Sequence, residues 1–239
     1  MTIKEMSAID HLEELRKRII FSLVIFIISL SISFFFVKDF YSWLTKDLEQ
    51  PLAILSPSEI LWAYFSLSCL IAVVLSIPFV ALQIWLFVSP ALTIKEKKTT
   101  LFYIPGLFVS FILGLAFGYF IIYPSILRFL LTLSENQFQE LFTIEKYIKF
   151  LLNISLPFGF LFELPMIVMF LTSLGIINPG MLARGRKFSY FILIIISVVI
   201  TPPDFLSDIL VTIPLIFLYE VSISFSRIIY RRKNKIHPQ

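Results

Sequence analysis

The sequence predicts an all-α integral membrane protein with six transmembrane helices and both termini in the cytoplasm. Of its 239 residues, 58% are hydrophobic and 15% are charged, whereas soluble domains have about 45–50% and 25%. The mean hydropathy is +0.92, and the apolar residues form six runs separated by polar segments. Fifteen of the 20 Lys and Arg residues fall in residues 4–18, 95–98, 184–187 and 227–235. The positive-inside rule places these alternate segments in the cytoplasm.

The six runs divide the chain, read as one membrane domain over residues 1–239, into predicted spans. Residues 1–18 are polar with an apolar residue every three or four positions, which predicts an interfacial helix leading into the first span. Residues 227–239 are a basic cytoplasmic tail. The predicted spans cover residues 19–37, 64–90, 101–123, 150–175, 188–201 and 205–226.

Spans five and six are predicted to be shortened. The apolar part of span five, Phe188–Ile200, reaches only about 20 Å as a helix, against about 30 Å of hydrocarbon. The turn signal Thr201–Asp204, read TPPD, separates it from span six. Either the bilayer thins here or the tip of this hairpin lies inside the membrane.

An ionisable residue, Glu163, lies near the middle of span four between Pro157 and Pro165. A charge at that depth costs about 2.5–3.5 kcal/mol on insertion scales, and such residues usually face protein or a wet cavity. The prolines free backbone carbonyl groups, which neighbouring helices or water then satisfy. A functional role and a protonated interhelical hydrogen bond both remain open for Glu163.

Three further polar residues, Thr201, Asp204 and Asp208, lie at the turn between spans five and six. Together with Glu163 they could form a polar patch embedded in the membrane. Asp204 is also a good N-cap for span six. The sequence supports the cap and the patch equally.

Carboxylates also lie among the basic residues of the cytoplasmic side. The spacing predicts local pairs Glu13–Lys17 and Glu14–Arg18, and Glu96 completes a capping box with Thr93. The alternative is that Glu14 and Glu96 accept a cationic ligand, since a planar guanidinium binds a carboxylate through two hydrogen bonds.

Several classes of function are not supported. The sequence has no HExxH, GxSxG or glycine-rich phosphate loop, and no His lies in a predicted span. Its Cys and His residues are Cys69, His11 and His237, too few for a zinc site of the usual spacing. We therefore predict no enzymatic activity, no metal and no cofactor.

Several sequence blocks resemble the TatC family, the receptor subunit of the twin-arginine protein translocase. Each block alone is weak, but together they cover nearly the whole chain in the family's order. They are HLEELRKRI (residues 11–19), QIWLFVSPAL (83–92), FGFLFELP (158–165), TPPD (201–204) and IPLIFLYE (213–220).

The resemblance implies a cupped bundle in the cell (inner) membrane and a function in protein export. Members of the family bind twin-arginine signal peptides of folded cargo proteins at the cytoplasmic face. They assemble with TatA- and TatB-type single-span partners and with further copies of themselves, and the proton-motive force drives transport.

The resemblance also assigns roles to residues. It implies signal-peptide binding by Glu14, Glu96, Phe87 and Pro51. It implies partner binding at Glu163.

The turn residues match the family less completely. Asp204 matches the family's acidic residue of the TPPD turn, beside Thr201. Asp208 stands where relatives carry an uncharged polar residue, which leaves its role open.

Two other functions are compatible with the residues alone. A proton-coupled secondary transporter would use Glu163 as its relay, although no second ionisable group lies in line with it inside the spans toward the cytoplasm. A scaffold without a specific ligand would use neither Glu14 nor Glu96.

Overall fold

The protein, as a computed structural model, is nearly all helical. The structure describes residues 8–46, 48, 52–92, 97, 100–134, 142–202 and 204–236. Its α-helices are α1 (Ala8–Thr45), α2 (Pro57–Val88), α3 (Tyr103–Phe117), α4 (Tyr123–Ser134), α5 (Ile144–Leu161), α6 (Leu164–Leu174), α7 (Pro179–Arg184), α8 (Arg186–Ile200) and α9 (Phe205–Ile236). Five helical stretches of the described residues are long and apolar enough to cross a membrane. The predicted fold class is confirmed.

Helix α1 is longer than the predicted first span. It continues for 38 residues, so the expected interfacial segment and the first span form one helix from Ala8. No Pro or Gly interrupts it, and those are the residues that most disfavour a helix interior. At 1.5 Å per residue it is about 57 Å long, so it extends well beyond the hydrocarbon of a bilayer.

The helical chain of span three continues past residue 123, where the sequence predicted an end before Pro124. A π turn, Gly118–Ile122, joins α3 to α4, and the Tyr123 N–H donates to the Gly118 carbonyl. Proline removes a backbone donor and crowds the preceding turn. The wider turn changes the hydrogen-bond register at that point, and the helix runs on to Ser134.

Span four is broken into α5 and α6 at Phe162 and Glu163. Pro165 lies in the first turn of α6, where its missing N–H interrupts no hydrogen bond within α6. The Ser110 hydroxyl of α3 donates to the Phe162 carbonyl at 2.5 Å. The neighbouring helix therefore satisfies a carbonyl at the break, as the prolines predicted.

Small residues allow α3 and α5 to cross closely. Ser110, Gly114 and Gly118 are four residues apart and form one stripe of α3. A Cβ at Gly114 would lie 2.9 Å from the Gly159 Cα, and one at Gly118 would lie 2.7 Å from the Ser155 Cα. Membrane helices associate through such small-residue contacts because lipid gives little hydrophobic drive.

Helix α8 is the short fifth span. Its 15 residues reach about 22 Å, and a hydroxyl pair, Ser197 and Thr212 at 2.6 Å, ties it to α9. Helix α9 extends to Ile236, so most of the basic segment predicted as a tail is helical.

A charged cluster fixes α8 to α9 at the end of the bundle where the basic segments meet, here called the basic end. Arg186 donates to both oxygens of Glu220, at 2.7 and 2.8 Å, and the Tyr190 hydroxyl donates to Glu220 at 2.6 Å. The Tyr219 hydroxyl donates to the Leu182 carbonyl at 2.9 Å. The cluster therefore holds α7, α8 and α9 together.

We expect Gly114→Ala to destabilise the bundle. The new methyl group meets the backbone of α5, which cannot rotate away, so the helices must separate at a cost of about 1–3 kcal/mol. Thermal unfolding in detergent measures this. Gly185→Ala is the control, since its Cβ would lie 3.4 Å or more from its neighbours. Equal melting temperatures for the two variants would contradict the close crossing.

We expect Glu220→Gln and Arg186→Gln each to lower the melting temperature, because each removes a charge from the bidentate pair. The double variant should lose less than the sum of the two losses, since either change alone breaks the shared contact. Strictly additive losses in a thermal unfolding series would show that the pair is not coupled.

Candidate functional site

Glu14 lies on α1 near the basic end and pairs with Arg18 one turn later. The Arg18 Nη2 donates to the Glu14 Oε1 at 3.0 Å, and Lys17 lies 3.0 Å from Glu13, so both predicted local pairs are confirmed. The Arg18 Nη1 also donates to the Gln83 Oε1 of α2 at 3.1 Å. Arg18 therefore links the carboxylate to the second helix.

Phe87 lies one turn beyond Gln83 on the same face of α2. Its ring stacks on His11 of α1, with centroids 4.3 Å apart and planes inclined by 22°. The structure therefore brings Glu14 and Phe87 to the same crossing of α1 and α2. Glu96, with its capping partner Thr93, and Pro51 lie outside the described residues.

An apolar groove of about 500 Å³ continues from this crossing between α1 and α2. Arg18 and Gln83 lie among its lining residues, and Phe160 of α5 also contributes. The polar crossing thus adjoins a surface that accepts apolar side chains.

Glu163 lies in a different place, at the break between α5 and α6. Its residue is only 7% exposed, and neither carboxylate oxygen has a hydrogen-bond partner among the described residues. It precedes α6 without capping it through its side chain. Intramembrane carboxylates usually have a partner or line a wet cavity, so this arrangement marks Glu163 as a candidate contact for another molecule.

The surroundings of Glu163 form a second cavity of about 500 Å³. Its wall comes from three helices: α2, α3 and α6. The residues that contribute most of the aromatic and aliphatic surface include Ile84, Trp85, Tyr103, Leu107, Met166 and Phe170. Phe160, exposed by 53%, lines this cavity as well as the groove, so the two open on either side of one ring.

The turn between α8 and α9 brings Thr201, Asp204 and Asp208 together. The Asp204 Oδ1 accepts from the Ser207 N–H at 2.7 Å, so it caps α9 as the sequence predicted. The Thr201 hydroxyl donates to Asp208 at 2.5 Å. The second Asp204 oxygen is buried without a partner among the described residues, and Pro203 lies outside them.

The four residues of the expected polar patch thus lie in two groups. No described hydrogen bond joins Glu163 to the turn, and neither Thr201, Asp204 nor Asp208 lines its cavity. The described residues contain no cluster of three or more Cys, His, Asp or Glu that could hold a metal.

Sequence reasoning missed two partners of the site. Gln83 is a polar residue in an apolar span, and its exposure is only 6%; that placement was the available signal. The partner of Glu220, Arg186, lies 34 residues away and has no local periodicity that would indicate it.

Comparisons with known proteins agree with this architecture. Residues 10–214 match the family model described as TatC, Sec-independent protein translocase protein. The chain is 54% identical to TatCd of Bacillus subtilis, over 98% of this chain and 96% of the relative. It is 35% identical to TatC of Aquifex aeolicus, over 95% and 97% of the two chains.

Solved structures agree as well. A crystal structure described as "Twin Arginine Translocase Receptor- TatC" superposes with a TM-score of 0.79 at 35% identity, and the match covers 92% of this chain and 99% of that one. A second, described as the same receptor "in DDM", gives a TM-score of 0.81 at 35% identity over 91% and 99%. The relatives are named as translocase components, a transport role and not an enzymatic one. This chain therefore belongs to the TatC family of Sec-independent protein translocase proteins.

Proposed function

We propose that this protein is the core receptor component of a twin-arginine translocase. It lies in the cell (inner) membrane as a single membrane domain, with both termini and the basic end in the cytoplasm. It binds the twin-arginine signal peptides of folded cargo proteins at that end. It assembles with TatA- and TatB-type partners and with further copies of itself, and the proton-motive force drives transport.

The observation that carries the proposal is the geometry at Glu14. This carboxylate already accepts a hydrogen bond from a guanidinium, that of Arg18, at 3.0 Å. Its side chain is only 20% exposed, so water competes less with a donor there than at an open surface. A signal-peptide arginine would meet the same chemistry, and the apolar groove beside it suits the apolar residues of a signal peptide.

Three other residues complete the peptide site in this proposal. Phe87 supplies a ring at the crossing, and a guanidinium stacks on such a ring. Glu96 and Pro51 are assigned from the family resemblance. A second carboxylate, Glu96, would let the site receive both arginines.

Partner assembly takes place in the membrane at Glu163 and at the turn that contains Thr201, Asp204 and Asp208. Glu163 faces a cavity with two unused acceptors. A polar side chain or a proton on a partner helix would meet that requirement. The turn offers a further unused acceptor on Asp204.

We expect Glu14→Gln to weaken binding of an Arg-Arg signal peptide by about tenfold or more, since a hydrogen bond to a charged group contributes about 1.5–3 kcal/mol. Glu96→Gln should act in the same direction. The measurement is the Kd of a fluorescent peptide for the purified protein in nanodiscs, with a Lys-Lys peptide alongside.

Glu13→Gln is the matched control, because Glu13 is the adjacent carboxylate and its side chain is 50% exposed. It should leave the Kd nearly unchanged. If the wild-type protein binds both peptides equally, or if both Gln variants bind normally, the carboxylates are caps and local ion pairs only.

We expect Glu163→Ala to reduce co-purification of TatA- and TatB-type partners more than it weakens peptide binding, because Glu163 lies outside the crossing that holds Glu14. The melting temperature in detergent should not fall greatly, since no hydrogen bond of Glu163 is lost and a desolvation cost is removed.

Glu145→Ala, an exposed carboxylate at the start of α5, is the control. Equal losses of partner and peptide binding in Glu163→Ala would contradict the separation. Saturable proton-coupled solute uptake by the pure protein in proteoliposomes, abolished in Glu163→Ala, would instead support a transporter.

A further inference from the structure

The side chain of Arg18 occupies the carboxylate that the proposed function reserves for a ligand. We infer that Arg18 is an intramolecular competitor, which a signal-peptide arginine must displace from Glu14 before it binds fully. The inference rests on the proposed function of Glu14. It adds a residue that lowers the affinity of the receptor for its ligand.

The contacts support a built arrangement. Arg18 donates to Glu14 through one terminal nitrogen at 3.0 Å and to Gln83 through the other at 3.1 Å. Gln83 belongs to α2 and is 6% exposed. A guanidinium can make both contacts at once because its donors point in fixed, different directions. The Arg18 side chain is thus fixed at its end by two helices.

The neighbouring pair shows what an ordinary surface contact looks like at the same spacing. Lys17 and Glu13 lie 3.0 Å apart with side chains 69% and 50% exposed. The corresponding values for Arg18 and Glu14 are 31% and 20%. Surface pairs contribute little because water and salt screen them. The Arg18 pair is better shielded and has lost more rotamer freedom already, so it competes more strongly.

Ligand binding is then an exchange of one guanidinium for another. Arg18 releases the Glu14 Oε1 and keeps its contact with Gln83, while the incoming arginine donates to the freed carboxylate. The number of charge-assisted hydrogen bonds at Glu14 is conserved. The free energy of displacing Arg18 is the same for every ligand that needs the whole carboxylate, so Arg18 sets the affinity and leaves the Arg-Arg to Lys-Lys ratio unchanged.

Arg18→Gln tests the inference by removing the competitor. We expect the Kd of both the Arg-Arg and the Lys-Lys signal peptide in nanodiscs to fall by about fivefold, with their ratio unchanged. Lys17→Gln makes the same change in net charge one residue away, and we expect it to lower either Kd by less than about twofold. Arg18→Lys keeps the charge but not the fork, and we expect an intermediate gain.

The outcomes separate the inference from the proposed function. If wild type prefers Arg-Arg and Glu14→Gln abolishes that preference, while Arg18→Gln weakens binding or matches Lys17→Gln, Arg18 only positions Glu14 and the inference is overturned. If wild type shows no preference and Glu14→Gln binds normally, the proposed function fails and the inference with it. Should Arg18→Gln not fold, as judged by its melting temperature, Arg18→Lys decides: a Kd no lower than wild type overturns the inference.

Discussion

The close crossing of α3 and α5 is the constraint on which the rest of the bundle depends. A helix that breaks inside a membrane leaves backbone carbonyl groups that no water can satisfy. Gly114 and Gly118 let the two backbones approach, and Ser110, on the same stripe, then reaches the Phe162 carbonyl. Without that approach the break between α5 and α6 would carry an unpaired carbonyl in hydrocarbon, and the chain would favour a continuous helix over the break.

The break in turn fixes where Glu163 lies. The side chain emerges between α5 and α6 and faces the cavity bounded by α2, α3 and α6. An ionisable group without a partner at that depth is destabilising by about 2.5–3.5 kcal/mol on insertion scales. The protein retains it because the packed frame around it, including the buried Phe111 and Phe158, holds the geometry regardless. Glu163 is therefore a feature that the fold tolerates and does not need.

Local periodicity and composition predicted what depends on a single segment. Hydropathy predicted the apolar helices, and the i, i+4 spacing predicted the Glu14–Arg18 pair and the Asp204 cap. Contacts between distant segments were beyond that reasoning. Arg18 and Gln83 are 65 residues apart, and nothing in either segment specifies the other until α1 and α2 cross. The continuation of the helix past Pro124 failed for a different reason, since proline was expected to end the helix and a π turn accommodates it.

The two candidate carboxylates are prepared in opposite ways, and this bears on how each would work. Glu14 is satisfied in the free protein, so a cation binds there by replacing one that is already present, with little change in the charge that is desolvated. Glu163 is unsatisfied, so a donor that reaches it removes a standing penalty and needs no exchange. A site of the first kind can bind and release a ligand over a small range of free energy. A site of the second kind favours whatever partner fills it, which suits assembly better than recognition.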